Sequence, residues 1–366
     1  DNEGCEDSLS FKIGAGTINA AGGLKTTDIE TVNINVDNAT TITLADLGAI
    51  TAATTYSTLN LTGDSILTAS ATNADITTID ASGMSDGGAI VQSARSATTA
   101  VNYTGSDGND TFIMSHANDV IDGGSGTSDT LDVNLVGQLG AIAVDLSSSG
   151  DQVTSANGLA NSAIQKGFEN VDLAGYTVSG VQVTGSKKAN TIHASGQADV
   201  ISAGAGDDTI KGTVAQIITN NDTITFGAGS DTLEITDTPS NAVDMSGLTN
   251  MQDLPSTFVY AADAGADAYT QSQANLTTTV TVTLTSAEDG DNDTYTLKKA
   301  TTNMDASAKG SAAAVVDAGD WFIDNTGTSG VITYYNETYS AVSTITLTGL
   351  DAGAIAISGN NVVWTA

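Results

Sequence analysis

The chain has 366 residues and carries 43 Asp and Glu against 10 Lys and Arg, which gives a formal net charge of −33 at pH 7. A surface this acidic repels nucleic acids and anionic headgroups, and no apolar run approaches the roughly 20 residues of a membrane span, so we expect neither a nucleic-acid partner nor membrane insertion. Such a surface suits a protein that meets divalent cations. The sequence begins at Asp1 rather than Met, which we interpret as a processed or partial product.

The residue composition favours an all-β protein. Aromatic residues make up only 5% of the chain, so Val, Ile, Leu and Ala must build the core. There are 39 Gly but only 2 Pro, and Thr, Ser, Asn and Asp are abundant, as in short strands joined by tight turns. Cys5 is the only cysteine, so it cannot form an internal disulfide; a free thiol, an intermolecular bridge, a lipid attachment point and an incidental residue all remain open.

Residues 1–100 contain short runs in which apolar and polar residues alternate. Val32, Ile34 and Val36 alternate with polar residues, and Leu59 and Leu61 do the same. This period of two is that of a strand with one buried face, and no helical period persists. The pattern predicts a β-solenoid-like domain over residues 1–100.

Residues 101–253 contain a nine-residue repeat. From Gly105 the blocks read GSDGNDTFI, MSHANDVID and GGSGTSDTLD. From Gly185 they read GSKKANTIH, ASGQADVIS and AGAGDDTIK, and they continue after a longer connection at Gly212–Asn221 as NDTIT and FGAGSDTLE. Each block pairs a loop with a short strand that points one apolar residue inward. The predicted inward residues are Phe112, Ile121, Leu131, Ile192, Ile201, Ile210, Ile224 and Leu233.

The acidic residues of these blocks are expected to stack. Two blocks complete one coil, so residues about eighteen apart lie at the inter-strand spacing of about 4.8 Å, with Asn190 over Asp208 and Asp110 near Asp129. Carboxylates this close repel by several kcal/mol at a low effective dielectric, and the sequence therefore predicts a cation between the coils. A hard divalent ion takes about six to eight oxygens, which Asp carboxylates and loop carbonyls supply where glycine permits positive φ.

These blocks resemble the nonapeptide repeats of RTX proteins, with the pattern G-G-x-G-x-D-x-U-x in which U is apolar. The resemblance implies a right-handed parallel β-solenoid, or calcium β-roll, with Ca²⁺ as the cofactor. Asp-Gly turns between solvated strands are the alternative interpretation. The side-chain ligands that the resemblance implies are Asp110, Asp119, Asp129, Asn190, Asp199, Asp208, Asp222 and Asp231, and the loop glycines whose backbone faces the ion are Gly108, Gly124, Gly126, Gly204, Gly206, Gly227 and Gly229.

Departures from the repeat predict a broken array. The loops at Met114–Ala117 and Ser186–Ala189 lack glycines, so we expect two short rolls with some loops empty. Between the rolls, residues 154–166 (TSANGLANSAIQK) are the best candidate for a short helix. Pro239 and Pro255 bracket an expected linker. The strand-like segments that follow it predict a β-sandwich-like domain over residues 254–366. Trp321, Phe322, Tyr334 and Trp364 are its expected core anchors, and Glu288–Asp293 is either a further calcium loop or a solvated hairpin turn.

The sequence contains neither a His-Glu-x-x-His nor a G-x-S-x-G motif, and we expect no enzymatic activity. The segments Asp28–Ile34, Gly167–Leu173 and Ile76–Gly83 resemble those of RTX-type bacterial S-layer proteins. That resemblance implies type I secretion and a structural protein at the cell surface, self-assembling into a calcium-dependent two-dimensional lattice on a Gram-negative cell. It also implies lipopolysaccharide anchoring through a region outside this chain. A calcium-dependent adhesin or biofilm-matrix protein is the main alternative, ahead of a secreted enzyme or a toxin.

Overall fold

The computed structural model describes part of the chain. The described residues are 7–13, 25–27, 30–37, 42–44, 49–51, 57–64, 67–69, 76–85, 90–92, 100–134, 140–156, 159–236, 243–244, 251–252, 257–261, 268–272, 280–285, 294–298, 321–324, 330–335, 341–348, 355–358 and 361–365. Cys5 and Glu288–Asp293 lie outside them. The chain forms two compact units, namely residues 1–186 with 195–197, and residues 187–194 with 198–366. The division predicted from the sequence, at residues 100 and 253, stays a prediction.

The first unit is built from short strands, as its alternating pattern predicts. The strands are β1 Ser8–Ile13, β2 Lys25–Thr27, β3 Thr31–Val36, β4 Ile42–Leu44, β5 Ala49–Thr51, β6 Ser57–Gly63, β7 Leu67–Ala69, β8 Ile76–Met84, β9 Ile90–Gln92, β10 Asn102–Thr104, β11 Thr111–Met114, β12 Val120–Asp122, β13 Thr130–Val133, β14 Ile142–Asp145, β15 Val153–Ala156, β16 Leu159–Ala160, β17 Gln165–Lys166, β18 Asn170–Asp172 and β19 Val181–Ser186.

Two parallel stacks organise the first unit. One stack runs in the order β1-β3-β6-β8-β10-β12-β17, and the other contains β4-β7-β9-β11-β13-β18. The chain alternates between them, since each strand of the first stack from β3 onward is followed by a strand of the second. Successive coils therefore stack in parallel register, for example Tyr103 over Ile79 and Ile121 over Tyr103. This is the parallel β-roll that the sequence predicts.

The interior of the first unit is apolar. Along β3 the buried positions alternate with partly exposed ones, so Val32, Ile34 and Val36 are buried as predicted. The Tyr103 and Phe112 rings stack with centroids 5.5 Å apart, and Phe168 meets Phe112 edge-on at 6.4 Å. These three aromatic residues thus pack against one another inside the first unit, where large side chains bury much apolar area.

The second unit contains the remaining strands and one π-helical turn at Ala215–Thr219. The strands are β20 Thr191–His193, β21 Val200–Gly204, β22 Thr209–Gly212, β23 Thr223–Thr225, β24 Thr232–Ile235, β25 Val243–Asp244, β26 Met251–Gln252, β27 Thr257–Ala261, β28 Ala268–Ser272, β29 Val280–Thr285, β30 Thr294–Lys298, β31 Trp321–Asp324, β32 Gly330–Tyr335, β33 Ala341–Thr348, β34 Ile355–Ser358 and β35 Asn361–Thr365.

Parallel pairing dominates the second unit too. The strands β20-β22-β24-β27-β29-β33 pair in parallel, as do β21-β23-β26 and β25-β28-β30. Because β27 pairs with β24, parallel stacking continues past residue 254, where the sequence predicted a sandwich-like domain. Antiparallel pairing occurs at β31-β32-β33 and at β30-β35-β34, which include Trp321, Phe322, Tyr334 and Trp364.

The short helix predicted over residues 154–166 is wrong. The strands β15, β16 and β17 occupy this segment, and β15 pairs antiparallel with both β14 and β16. The dipeptide Asn157-Gly158 separates β15 from β16 in the sequence, and it is a strong two-residue hairpin signal that outweighs the small, helix-compatible residues around it. Within the described residues, no helix is long and apolar enough to cross a membrane.

Candidate metal centre

All predicted inward residues of the repeat are buried, with at most 1% of any side chain exposed. Their burial fixes the register of each block, so the acid two positions earlier, directly before the strand, falls at the same place in every coil. These acids are buried as well, Asp110 at 1%, Asp119 and Asp129 at 0%, and Asp222 at 5% exposure. The repeat thus carries its carboxylates inside the roll rather than on a solvated turn.

Five of the acids, Asp119, Asp129, Asp208, Asp222 and Asp231, each join their coil to the preceding one through a pair of hydrogen bonds. The backbone N–H of Asn190 donates to Oδ1 of Asp208 (2.8 Å), and the N–H of Thr209 donates back to the carbonyl of Asn190 (2.8 Å). We call this pair the inter-coil clamp. The same clamp joins Val101 to Asp119 (2.9 Å), Asp110 to Asp129 (2.7 Å), Asp199 to Asp222 (2.8 Å) and Asp208 to Asp231 (2.9 Å), each distance being from backbone N to Oδ1.

The inter-coil clamp accounts for the predicted stacking of these residues and shows how part of their charge is compensated. Asn190 lies against Asp208 and Asp110 against Asp129, as the nine-residue register predicts. The sequence argument assigned all compensation of the stacked charge to a cation, whereas one carboxylate oxygen is compensated by a backbone N–H. A hydrogen bond to a charged acceptor contributes about 1.5–3 kcal/mol, so the backbone carries part of the compensation that the sequence argument gave to a cation.

In the second unit, that second oxygen lacks a protein partner at two sites. Within the described residues, Oδ2 of Asp208 and Oδ2 of Asp222 are buried and accept no hydrogen bond. Burial raises the pKa of Asp208 to about 6 and that of Asp222 to about 8, and the neighbouring charges of Asp231 and Asp199 act in the same direction. A bound cation would reverse these shifts, since it stabilises the charged form. Hard, buried carboxylate oxygens of this kind fit Ca²⁺.

Close stacking of the loops accounts for their glycines. Gly206 has φ +117°, and a Cβ built there would lie 2.6 Å from the carbonyl carbon of Lys188. At Gly229 a Cβ would lie 1.8 Å from the carbonyl oxygen of Gly206. The loop carbonyls therefore lie against one another with no room for side chains. Of the predicted loop glycines, positive φ occurs at Gly124, Gly204, Gly206, Gly227 and Gly229 but not at Gly108 or Gly126.

Asp119 and Asp110, in the first unit, are held differently. Oδ1 of Asp119 accepts the N–H of Val101, and its Oδ2 accepts the N–H groups of Ser115 (3.1 Å) and His116 (2.9 Å). Asp110 likewise accepts the N–H of Ser106 at Oδ2 (2.7 Å). The Met114–Ala117 loop, which has lost its glycines, thus closes on its own acid. Burial still raises the pKa of Asp119.

The side-chain ligands predicted from the sequence do not converge. Across the described ranges, no group of three or more His, Cys, Asp or Glu side chains is placed to hold a metal. A calcium ion in these loops would therefore take few carboxylates and draw on backbone carbonyls for the rest, which is within its preference for oxygen ligands. The ligand role of each predicted residue stays a prediction.

Two glutamates that sequence reasoning missed complete the set of clamps. Oε2 of Glu169 accepts the N–H of Asp129 (3.1 Å), and Oε2 of Glu30 accepts the N–H of Asp7 (2.8 Å). Both precede a strand directly, as the repeat aspartates do. The available signal was an acid followed by an alternating strand, Glu-Thr-Val-Asn-Ile and Glu-Asn-Val-Asp-Leu, but neither segment has the glycines that define the nine-residue block.

Comparison with protein families supports this assignment. The model of the RTX calcium-binding nonapeptide repeat (4 copies) matches residues 102–128, 182–213 and 219–233. A search of curated proteins found no match to the chain. The matched segments contain every predicted side-chain ligand except Asp129, which follows the first segment by one residue. RTX nonapeptide repeats bind calcium, and the chain therefore carries RTX-type calcium-binding repeats in three segments of a parallel β-roll.

Proposed function

We propose that this chain is a structural subunit of a surface layer, in which copies assemble into a calcium-dependent two-dimensional lattice on a Gram-negative cell. RTX repeat proteins are typically secreted, which agrees with this location. The observation that carries the proposal is a calcium-binding β-roll in a chain with a formal net charge of −33. Copies with so much like charge repel at contact, where screening over about 8 Å is incomplete, so close assembly needs bridging cations.

The outward faces of the roll favour polar, cation-mediated contacts. On the first stack, the Asn60 side-chain amide donates to Oδ1 of Asn33 (2.8 Å), and that of Asn35 donates to the hydroxyl of Thr62 (3.1 Å). Cross-strand polar pairs of this kind stabilise neighbouring strands and make this part of the outward face polar. A lattice of such faces would come apart when calcium is removed.

The proposed role is structural rather than catalytic. The buried acids point inside the coils, where backbone N–H groups hold them, and catalytic carboxylates need a cleft that admits substrate. The partners that we propose are further copies of this chain.

Electron microscopy of the purified full chain tests the proposal. We expect ordered sheets at 1 mM Ca²⁺ and dispersed particles after excess EGTA, with sheets returning when calcium is restored; 1 mM Mg²⁺ is the control. An ion-site variant, Asp208→Asn with Asp222→Asn, should disperse at calcium concentrations that assemble the wild type. Sheets that persist in EGTA would refute the calcium mechanism. Particles that stay dispersed in calcium but bind glycans or host cells would instead support the adhesin.

A further inference from the structure

Glu169 occupies the place of a repeat aspartate in a coil that has no repeat. It lies 40 residues after Asp129, beyond the family match, yet β18 pairs in register with β13 so that Asn170 lies over Thr130. Its Oε2 accepts the N–H of Asp129 (3.1 Å), and the N–H of Asn170 donates to the carbonyl of Asp129 (2.9 Å). This is the inter-coil clamp with Glu in place of Asp.

The surroundings of Glu169 fix its position. The preceding residue, Phe168, is 2% exposed and meets the Phe112 ring edge-on. The side chain of Gln152 binds the Phe168 backbone at both ends, since its Oε1 accepts the N–H (2.9 Å) and its Nε2 donates to the carbonyl (2.8 Å). Glu169 is itself 9% exposed, so its carboxylate is held against Asp129 by packing on one side and a polar network on the other.

Asp129, whose N–H donates to Glu169, is the last residue of a glycine-rich loop. Asp129 ends the loop that begins at Gly123, and a Cβ on Gly126 would lie 2.2 Å from Oδ1 of Asp129. The loop therefore wraps tightly around this carboxylate, and Oδ1 also accepts the N–H of Asp110 (2.7 Å). A shift of the Asp129 backbone would move both the carboxylate and the loop carbonyls around it.

We propose that Glu169 is a positioning residue for the calcium loop Gly123–Asp129. Glu169 lies in the neighbouring coil, and its hydrogen bond to the N–H of Asp129 fixes the position of the loop backbone. Outer hydrogen-bond partners of metal ligands typically contribute about 10- to 100-fold to metal affinity. The proposal rests on calcium binding by the repeats and is independent of lattice assembly.

The chain offers a matched control in Glu30. Its Oε2 accepts the N–H of Asp7 (2.8 Å), and the N–H of Thr31 donates to the carbonyl of Asp7 (3.2 Å), so the clamp geometry is the same. No repeat matches this part of the chain. Removing the Glu30 clamp should therefore affect the fold locally without changing calcium affinity.

Calorimetric calcium titration of the full, metal-stripped chain tests the role of Glu169. Glu169→Met keeps the side-chain length but removes the acceptor, and we expect one site to weaken about tenfold or more. Glu169→Gln keeps an acceptor oxygen and should stay within about threefold of wild type, and Glu30→Met should leave all sites unchanged. Circular dichroism checks that each variant is folded.

Three outcomes would overturn the proposal. Wild-type affinity in folded Glu169→Met would show that the clamp does not position the loop. Equal weakening in Glu169→Gln and Glu169→Met would show that the charge, and hence direct ligation, is what matters. Equal weakening in Glu30→Met would show a general effect on the roll. If Glu169→Met fails to fold, Glu169→Ser, which is too short to reach the Asp129 N–H, takes its place in the same comparisons.

Discussion

The two repeat series share a motif but differ in the hydrogen bonds that their acidic side chains accept. In the series of residues 101–134, Asp110 and Asp119 accept N–H groups from their own loops, and both oxygens of Asp119 are engaged. In the series of residues 187–236, Asp208 and Asp222 each leave a buried oxygen without a hydrogen bond from the described residues. The same nine-residue pattern therefore produces a loop whose acid is compensated by backbone N–H groups, at Asp119, and sites in the second series where a carboxylate oxygen is left open to a cation.

Loop composition accounts for the difference between Asp119 and the acids of the second series. In Met114–Ala117 the absent glycines let the loop fold inward, so that the N–H groups of Ser115 and His116 face Asp119. In Ala203–Asp208 the glycines adopt positive φ and turn their carbonyls toward the neighbouring loop, as in the bond from Ala228 N–H to Gly204 O (3.0 Å). N–H groups compensate a carboxylate directly, whereas carbonyls do so only through a cation.

Chelation should give the largest contrast between the series. A buried, uncompensated polar group costs about 1–3 kcal/mol, and more if charged, so removing calcium destabilises the second series at two sites or more. We expect amide hydrogen exchange across residues 190–235 to speed up at least tenfold in EGTA, while residues 115–122 around the backbone-compensated Asp119 stay protected. Mass-spectrometric exchange with and without calcium checks this. Equal loss of protection in both series would contradict the comparison.

Metal-free protein should lose stability as pH rises, in the opposite sense to ordinary carboxylates. Burial raises the pKa of Asp222 to about 8 and of Asp208 to about 6, above an unfolded value near 4. The protonated forms stabilise the fold fully below the unfolded pKa, and this stability is lost as pH passes through about 6 and 8. Urea unfolding of metal-stripped protein in calcium-free buffer should show a fall of a few kcal/mol between pH 5 and pH 9. A calcium-saturated sample should lack that fall.

Adding a side chain to a stacked loop should lower the free energy of unfolding by an intermediate amount. Gly206→Ala places a Cβ 2.6 Å from backbone at φ +117°, and we expect a loss of about 2–3 kcal/mol in the free energy of unfolding. Gly196→Ala is the control, because its nearest contact would be an ordinary 3.4 Å and its φ is not positive. Thermal melts in calcium compare the two. Similar melting temperatures for both variants would refute close loop stacking.

Neutralising one acid in each series should give smaller effects of opposite sign in EGTA. At pH 9, above the pKa of about 8 that burial gives Asp222, Asp222→Asn removes a buried charge and should stabilise the metal-free protein by about 1 kcal/mol while abolishing calcium stabilisation there. Asp119→Asn turns an amide NH₂ toward backbone N–H donors and should destabilise both forms by about 1–2 kcal/mol. Urea melts of both variants measure the signs. Matching signs would remove the distinction between the series.

The sequence predicted the parts of the roll that depend on local period. Alternation identified strands such as β3, and the nine-residue spacing identified the buried Ile192, Ile201 and Ile210. The sequence did not predict the role of Glu169, because residues 135–158 separate it from the repeat. Its register with Asp129 exists only in the folded chain. The backbone N–H groups that donate to the acids were not predicted for a related reason. Every residue except proline has a backbone N–H, and only the stacked coils show which of these groups faces a carboxylate.

Coil length and axial register are independent in this roll. The inter-coil clamp spans 18 residues from Asn190 to Asp208 but 23 from Asp208 to Asp231, and the five additional residues are absorbed at the turn Ala215–Thr219. Extra residues thus bulge sideways and leave the strand spacing along the axis unchanged. Peptides grafted beside the exposed Ala215, with the buried Ile217 kept, would be displayed at the periphery without disturbing the stack.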